Sequence, residues 1–465
     1  MLLLTMAPVG TAEPLQQDVQ LAIAINREAV GLPEFLQETG ATGAGVVIAI
    51  IDTGVDPGHP DLSFTSDGRN KIIDWRDFTA EGRVDTGLVA FATGDLVRIG
   101  DEAYLLPPVR STSGRYRYGF FREDQLDAGG NLGHDIDHDG RTGESFAVLL
   151  VDASAWDVYD TVFVDTDGDR SFADETPLRS FRESRRVGWF GDIESAAKTP
   201  FVVSHLDPGG AYVFLGFDGN GHGTHVAGIA AGFAGYEGGI TGLAPGAQIM
   251  SLKALGSSGD GNWQDISAAV QYAAEQGADI ISISVGGVVD ISEEGSEESQ
   301  LIARVAEEYG VLFVLAVGNG GPGVGSAVTP GVVTGSITVG AFVSPEMWRQ
   351  QYGYQVPEPG LWSFSAVGPR KDGGPAPDIV APGSALSTVP EWFAPRGQAW
   401  FEGTSMAVPH VAGAAALLLD ASRRAGMQVD AAALVRALMQ SADPVPGYHL
   451  VEQGYGLLNL WEAWR

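Results

Sequence analysis

An aspartate, a histidine and a serine, each in a tight local context, are the first chemistry that this chain offers. Asp52 lies in Asp-Thr-Gly-Val-Asp, His222 in His-Gly-Thr-His-Val-Ala-Gly, and Ser405 in Gly-Thr-Ser-Met-Ala-Val-Pro-His. A serine hydroxyl attacks a carbonyl usefully when an imidazole takes its proton and a buried carboxylate holds that imidazole in one tautomer. Ser405 is therefore the candidate nucleophile, His222 the general base and Asp52 the orienting group. Two other chemistries start from the same residues. His225, three positions after His222, invites a metal reading, but no Glu stands between them in zinc-protease spacing and no third ligand is evident. Asp-Thr-Gly also opens the aspartic protease signature, which needs a second paired carboxylate; we expect no such partner for Asp52, although Asp-Thr-Gly recurs at Asp85 to Gly87.

These residues need elements to bring them together. Val46 to Ile51 is a continuous apolar, β-branched run, the pattern of a strand buried on both faces of a parallel sheet, and Asp52 follows it. Similar runs recur at Ile249 to Leu255, Ile280 to Ser284 and Val311 to Val317. Between them lie helical patterns, Trp263 to Gln276 before Gly277, and Leu301, Ile302, Val305 and Ala306 before Gly310. Alternating strands and helices predict a doubly wound α/β fold, mostly parallel, with helices on both faces. The functional crevice of such a sheet lies beyond the carboxyl ends of its strands, where Asp52, Ser284 and Asn319 fall. Ser405 precedes an apolar helical run, so the free N–H groups of a helix start, its own included, face any oxyanion that forms there. Pro409 is expected close enough to the first turn to be tolerated.

From about 63 to 216 the pattern changes to short alternating stretches, at Phe146 to Val151, Thr161 to Val164, Phe201 to Ser204 and Tyr212 to Leu215, separated by Gly/Asp-rich turns. We read residues 63–216 as a β-rich insertion in a catalytic domain spanning 26–465, with 1–25 as an N-terminal segment. The chain has 465 residues, 59 acidic against 27 basic, and a formal charge of −32, which argues against nucleic acid and anionic membrane surfaces as partners. With no cysteine there is neither disulfide nor thiolate chemistry. The opening Met-Leu-Leu-Leu-Thr-Met-Ala-Pro-Val-Gly-Thr-Ala-Glu resembles the tail of a secretory signal, though it lacks a basic residue. We expect a signal end or a trimmed start and a secreted protein, with a cytoplasmic one kept open. No run of about 18 apolar residues predicts a transmembrane helix. Oligomeric state is left open.

All three contexts, and the order Asp, His, Ser, resemble the subtilisin-like serine proteases, the subtilases. Thr241-Gly-Leu-Ala-Pro245, Leu255 to Gly261, Ser284-Val-Gly-Gly287, Ala376 to Gly383 and the closing Gly454-Tyr-Gly-Leu-Leu-Asn459 resemble further landmarks of that family, so the likeness covers 40–64 and 216–460. The long stretch between Asp52 and His222 and the Asn319-Gly-Gly-Pro-Gly323 turn resemble the pyrolysin and tripeptidyl-peptidase II branch. The resemblance implies a serine endopeptidase acting on proteins or peptides without a catalytic cofactor. Alternatives are a tripeptidyl-type exopeptidase, whose insertion would hold the substrate's amino terminus, and a non-catalytic subtilase-like binding protein. It implies Asn319 as the second oxyanion donor and His225 as a buried structural histidine. It also implies that Gly259, Asp260 and Gly261 on one side, and Ser284, Val285 and Gly286 on the other, pair with an extended substrate. Ser284 to Gly287 with Ala316, Val317 and Gly318 would wall the primary specificity pocket. Neither segment is charged, so small or apolar side chains before the scissile bond are expected. Aligning Pro330-Gly331 with the family's Pro-Gly puts Val328 where glycine is usual, which would make the pocket shallower. The family leads one to expect a folding propeptide; no stretch before Asp52 is long enough, so we expect a trimmed chain or one that folds without it.

The insertion carries two carboxylate-rich turns. Asp135-Ile-Asp-His-Asp-Gly140 places Asp135, Asp137 and Asp139 at alternate positions with glycine sixth, and Glu144 follows. Asp165-Thr-Asp-Gly-Asp169 repeats the spacing with Asp165, Asp167 and Asp169, followed by Asp174 and Glu175. Clustered carboxylates repel unless a cation or solvent relieves them, and hard oxygens suit Ca²⁺, which we expect as a structural ion. Solvated acidic turns are the alternative.

Overall fold

The computed structural model describes residues 16–191, 194–195, 197–285, 297–328, 335–371 and 373–465. Segment 1–15, Gly286, Gly287, Pro330 and Gly331 lie outside them.

The central sheet runs Gly360–Leu361, Ser336–Val343, Leu312–Ala316, Ile280–Ile283, Val47–Asp52, Gln248–Lys253, Ile72–Asp77, with Ile379–Pro382 also pairing with Ser336–Val343. All its pairings are parallel except that of Gly360–Leu361. Successive strand residues point to opposite faces, and Val47–Asp52 serves two cores. Ile48 and Ile50 face the layer formed by the helices His222–Ala231, Thr404–Arg424 and Ala431–Gln440. Ala49 and Ile51 face Trp263–Glu275 and Glu297–Tyr309. This two-sided burial is why the strand reads as an unbroken apolar run, and the fold is the expected doubly wound α/β sheet.

Helix Thr404–Arg424 is long and apolar enough to cross a membrane by length and composition alone, yet its apolar stretch is wholly buried inside the molecule. A helix hydrophobic all round is what the middle of such a fold demands. Helix Gln16–Ala29 runs through the boundary expected after residue 25, burying Val19, Ala22 and Ile25, so its later part is packed into the fold.

Strand Ile72–Asp77, expected within the insertion, is the outer parallel strand of the central sheet, next to Gln248–Lys253. The inserted β structure beyond it forms two antiparallel sheets. One has six strands in the order Glu102–Leu105, Leu96–Ile99, Leu88–Thr93, Arg115–Arg122, Ser145–Val151, Thr161–Val164. The other has four, Gly188–Phe190, Thr199–Leu206, Tyr212–Gly216, Arg83–Asp85. They pack face to face through Val84, Phe121, Phe146, Val148, Phe190, Phe201, Val203 and Leu215. The outer face of the six-stranded sheet buries a second cluster around Tyr104, Tyr116, Phe163 and Phe172. Among the four expected stretches, Thr161–Val164 ends as read and the others extend by one to four residues.

Phe121 is fully buried, stacked on Phe190 at 5.4 Å and edge-on to Phe217 at 6.0 Å. Truncating a packed phenylalanine to alanine removes about 3–5 kcal/mol. Phe121→Ala is expected to lower stability by that order in urea unfolding followed by circular dichroism; an unshifted midpoint would show that this cluster does not support the fold.

Candidate active site

Asp52 ends the strand Val47–Asp52 and is fully buried. Its Oδ1 accepts from the Thr53 N–H at 2.8 Å and lies 2.8 Å from His222 Nδ1, while Oδ2 is buried without a hydrogen-bond partner among the described residues. His222 is the first residue of helix His222–Ala231. The next residue must be glycine. A Cβ at Gly223 would lie 2.0 Å from the Gly54 carbonyl oxygen and 3.2 Å from Asp52 Cβ, so only a bare backbone lets this helix start sit against the aspartate's loop.

A second carboxylate, which the sequence did not single out, fastens that helix start. Asp218 Oδ1 accepts from Thr53 Oγ1 at 2.9 Å, Gly221 N at 2.9 Å and Asn220 N at 3.1 Å, and its Oδ2 accepts from the Thr224 N–H and hydroxyl. Thr53 Oγ1 in turn accepts from Gly223 N at 3.0 Å. Asp218, three residues before Gly221 in Asp-Gly-Asn-Gly, could have been noticed as a capping carboxylate ahead of the helix.

Burial by itself would lower the His222 pKa, since it penalises the imidazolium. The adjacent Asp52 carboxylate, its hydrogen bond and the Asp218 charge outweigh this and hold the imidazole above the ordinary histidine value. His225 has no such partner. Burial pushes it down to about 3, its Nε2 lies 3.1 Å from the Ala399 carbonyl, and its ring stacks on Phe401 at 4.3 Å, a packed neutral histidine.

Ser405 is the second residue of helix Thr404–Arg424, in the turn whose N–H groups have no intrahelical acceptor. Its Oγ donates to the Ser284 carbonyl at 2.8 Å, and the Ser284 hydroxyl donates to the Ser405 carbonyl at 3.1 Å. His222 Nε2 is buried and has no hydrogen-bond partner among the described residues. The structure thus joins Asp52 to His222 and gives the serine hydroxyl a different acceptor from the imidazole. Pro409 lies beyond the first turn, as the sixth residue of the helix. Without an N–H it cannot bond the carbonyl four residues back, which is that of Ser405, and the Ser284 hydroxyl fills the gap.

Asn319 follows the strand Leu312–Ala316. Its Oδ1 accepts from both the Thr404 N–H and hydroxyl at 2.9 Å, which fixes the amide and sends Nδ2 the other way. A Cβ at Gly403 would stand 3.5 Å from Asn319 Nδ2 and 3.6 Å from Ser405 N. Glycine there leaves both donors uncovered.

The segments expected to bind substrate flank this site. Gly259 and Asp260 sit in a tight hairpin, with Gly256 N donating to the Asp260 carbonyl at 2.8 Å and Leu255 bridged to Gly261. On the other side Ser284 and half-buried Val285 follow Ile280–Ile283, whereas Gly286 is outside the described residues. Ala316 and Val317 are buried, and Val317 exchanges backbone bonds with Val339 and Val328. A Cβ at Gly318 would be 2.4 Å from Val328 Cγ2, so the valine side chain stands directly on this glycine.

In the first acidic turn, oxygens of Asp137, Asp139 and Glu144 come within 4.8 Å of one another, and those of Asp135 and Asp137 do so with Glu123. Glu123, distant in sequence and lacking any motif, is fully buried and accepts from Ile136 N and Glu144 N at 2.8 and 2.9 Å. In the second turn Asp165, Asp167 and Asp169 converge in the same way, and Asp174 does not join them. Asp165 is 3% exposed, and among the described residues neither its Oδ1 nor Asp135 Oδ1 has a hydrogen-bond partner. Buried orphan oxygens facing other carboxylates fit a hard cation.

The sequence profile described as the subtilase family matches residues 43–457. The chain belongs to the subtilase family. It is 35% identical over 510 aligned residues to pyrolysin of Pyrococcus furiosus, covering 93% of this chain and 36% of pyrolysin. It is 31% identical over 492 residues to tripeptidyl-peptidase 2 of Arabidopsis thaliana, covering 91% of this chain and 35% of that relative. Thermitase of Thermoactinomyces vulgaris is 35% identical over 231 residues, which is 50% of this chain and 70% of thermitase. A crystal structure of tripeptidyl peptidase 2 superposes with a TM-score of 0.72 at 21% identity, over 94% of this chain and 37% of that one, a likeness of fold. This subtilase spans about a third of the length of pyrolysin and tripeptidyl-peptidase 2. Alignments covering over nine-tenths of the chain necessarily take in most of the insertion, so pyrolysin and tripeptidyl-peptidase 2 align with it there.

Because Asp52 outweighs burial at His222, Asp52→Asn is expected to drop the imidazole pKa below its wild-type value. A histidine titration by NMR checks this; an unchanged midpoint would mean that the carboxylate does not hold the imidazolium.

Proposed function

We propose that this subtilase is a serine endopeptidase that cleaves through an acyl-enzyme. The observation that carries the reading is the buried Asp52–His222 pair set beside a helix start that presents Ser405, with Asn319 Nδ2 and the Ser405 N–H uncovered at Gly403. Ser405 Oγ leaves the Ser284 carbonyl, passes its proton to His222 Nε2 and attacks the carbonyl carbon. Asp52 keeps Nδ1 protonated and stabilises the imidazolium without taking its proton. The two uncovered N–H donors receive the oxyanion. His222 then returns the proton to the leaving amine, and water repeats the sequence in reverse to release the acid. Hydrogen-bond partners that tighten only when substrate is bound are ordinary in such sites, so the Ser405–Ser284 bond is the resting arrangement.

Uncharged Ser284, Val285 and Ala316 to Gly318 favour small or apolar side chains before the scissile bond, and Val328 on Gly318 narrows the space further. The likeness to tripeptidyl-peptidase 2 supports a second reading, in which the insertion limits cleavage to three residues from a free amino terminus. Intact folded protein is expected to gain one fluorophosphonate adduct, mapped to Ser405 by mass spectrometry. No adduct would rule out the acyl-enzyme chemistry and favour a subtilase-like binding protein. Digestion of amino-terminally blocked and free forms of one peptide separates the peptidase readings, because equal cleavage excludes the tripeptidyl one.

We also propose Ca²⁺ as a structural ion, held by Asp165, Asp167 and Asp169 and by the trios around Asp137. Binding to the folded state alone stabilises it by about 2.7 kcal/mol when free ion exceeds Kd a hundredfold. EDTA should therefore lower the melting temperature and excess Ca²⁺ restore it, with Asp165→Asn shrinking the response. Identical melting curves with and without chelator would remove calcium from the picture.

A further inference from the structure

Glu81 belongs to the insertion, yet its carboxylate is 8% exposed and serves the catalytic layer. It accepts from Ser257 N at 3.1 Å, from Asp127 N at 3.3 Å and lies 3.0 Å from Lys253 Nζ. Lys253 ends the strand Gln248–Lys253 opposite Asp52 in register and is fully buried. Its ammonium also donates to the carbonyls of Thr53 at 3.0 Å and Leu255 at 2.9 Å. One ion pair thus touches the residue after Asp52, the start of the Leu255–Gly261 hairpin and the insertion.

The other backbone group of Ser257 is tied as well. Its carbonyl accepts from Asn220 Nδ2 at 2.9 Å, and the Asn220 carbonyl accepts from Asn131 Nδ2 of the insertion at 2.8 Å. Between Asp127 and Asn131, Gly130 lies so close to Ser257 that a Cβ there would come within 2.7 Å of its Cβ. Ser257 is therefore gripped from both sides by groups that belong to, or are held by, the insertion. The hairpin that hangs from it carries Gly259, Asp260 and Gly261.

We propose that Glu81 is a positioning residue for extended substrates, through which the insertion fixes the backbone edge at Gly259 to Gly261 against which a peptide lies. This rests on the peptidase reading above. Glu81 touches no reacting atom, and its effect grows with the number of substrate residues laid along that edge. A charged acceptor suits this place because Lys253 is fully buried, and a buried ammonium that loses part of its counter-charge is costly.

The test compares Glu81→Gln with wild type on two substrates, an ester with one residue on the acyl side and a peptide with four. The loss in kcat/KM on the long substrate is expected to exceed that on the short one at least tenfold, carried mostly by KM. Equal losses at both lengths, or none, overturn the proposal. Wild-type ester hydrolysis is the control, and its absence would overturn the peptidase reading and this proposal together. Should Glu81→Gln fail to fold by circular dichroism, Asn131→Ala, on the exposed side of the same grip, must show the same length dependence on a smaller scale. Indifference to length in that variant is equally fatal.

Discussion

A carboxylate held in a dry interior is the constraint around which this molecule is arranged. Asp52 has no solvent contact, and taking such a charge out of water costs on the order of several kcal/mol unless donors replace the water. The donors at hand are the Thr53 N–H and the imidazole of His222. Bringing the imidazole that near demands a glycine at 223 and a helix start clamped to the aspartate's own loop. Asp218 provides the clamp by gathering Thr53, Asn220, Gly221 and Thr224. The histidine helix and its cap keep one carboxylate–imidazole pair dry and aligned.

Much of this was legible in the sequence, for a physical reason. Strands buried on both faces must be apolar throughout, so Val47–Asp52, Gln248–Lys253, Ile280–Ile283 and Leu312–Ala316 announced themselves and placed Asp52, Ser284 and Asn319 at strand ends. The strand Ile72–Asp77 did not, because it is the outermost parallel strand of the sheet and carries Asp74, Arg76 and Asp77 among its apolar residues. Helix Thr404–Arg424 was visible from its composition, but not the substitution at Pro409, since a missing N–H shows only once one knows which carbonyl it leaves free. Glu81 and Glu123 were invisible for another reason. Each acts at a distance along the chain, accepting from backbone N–H groups that every sequence possesses.

The insertion is more than a decoration on one loop. Its two sheets enclose an apolar interior of their own, while Trp75, Phe181 and Val202 pack into the catalytic core. Beside the substrate hairpin the connection also uses polar groups of defined direction, at Glu81, Asp127 and Asn131. Directional bonds suit a joint that must set the position of a backbone edge, because an apolar contact can slide.

The two buried lysines show how far a neighbour decides the state of an amine. The Lys71 ammonium donates to the carbonyls of Pro245 and Ala247, and burial drives it down to about 7. Lys253 is buried as deeply, but Glu81 and Asp77 more than offset the desolvation and keep it above the usual lysine value. The chain contains only four lysines, the others being Lys198 and Lys371. Acylating reagents directed at side-chain amines therefore find Lys198 and Lys371 on the folded molecule. Lys253 becomes reactive only when the end of the sheet beside Asp52 opens, which makes it a chemical reporter of that opening.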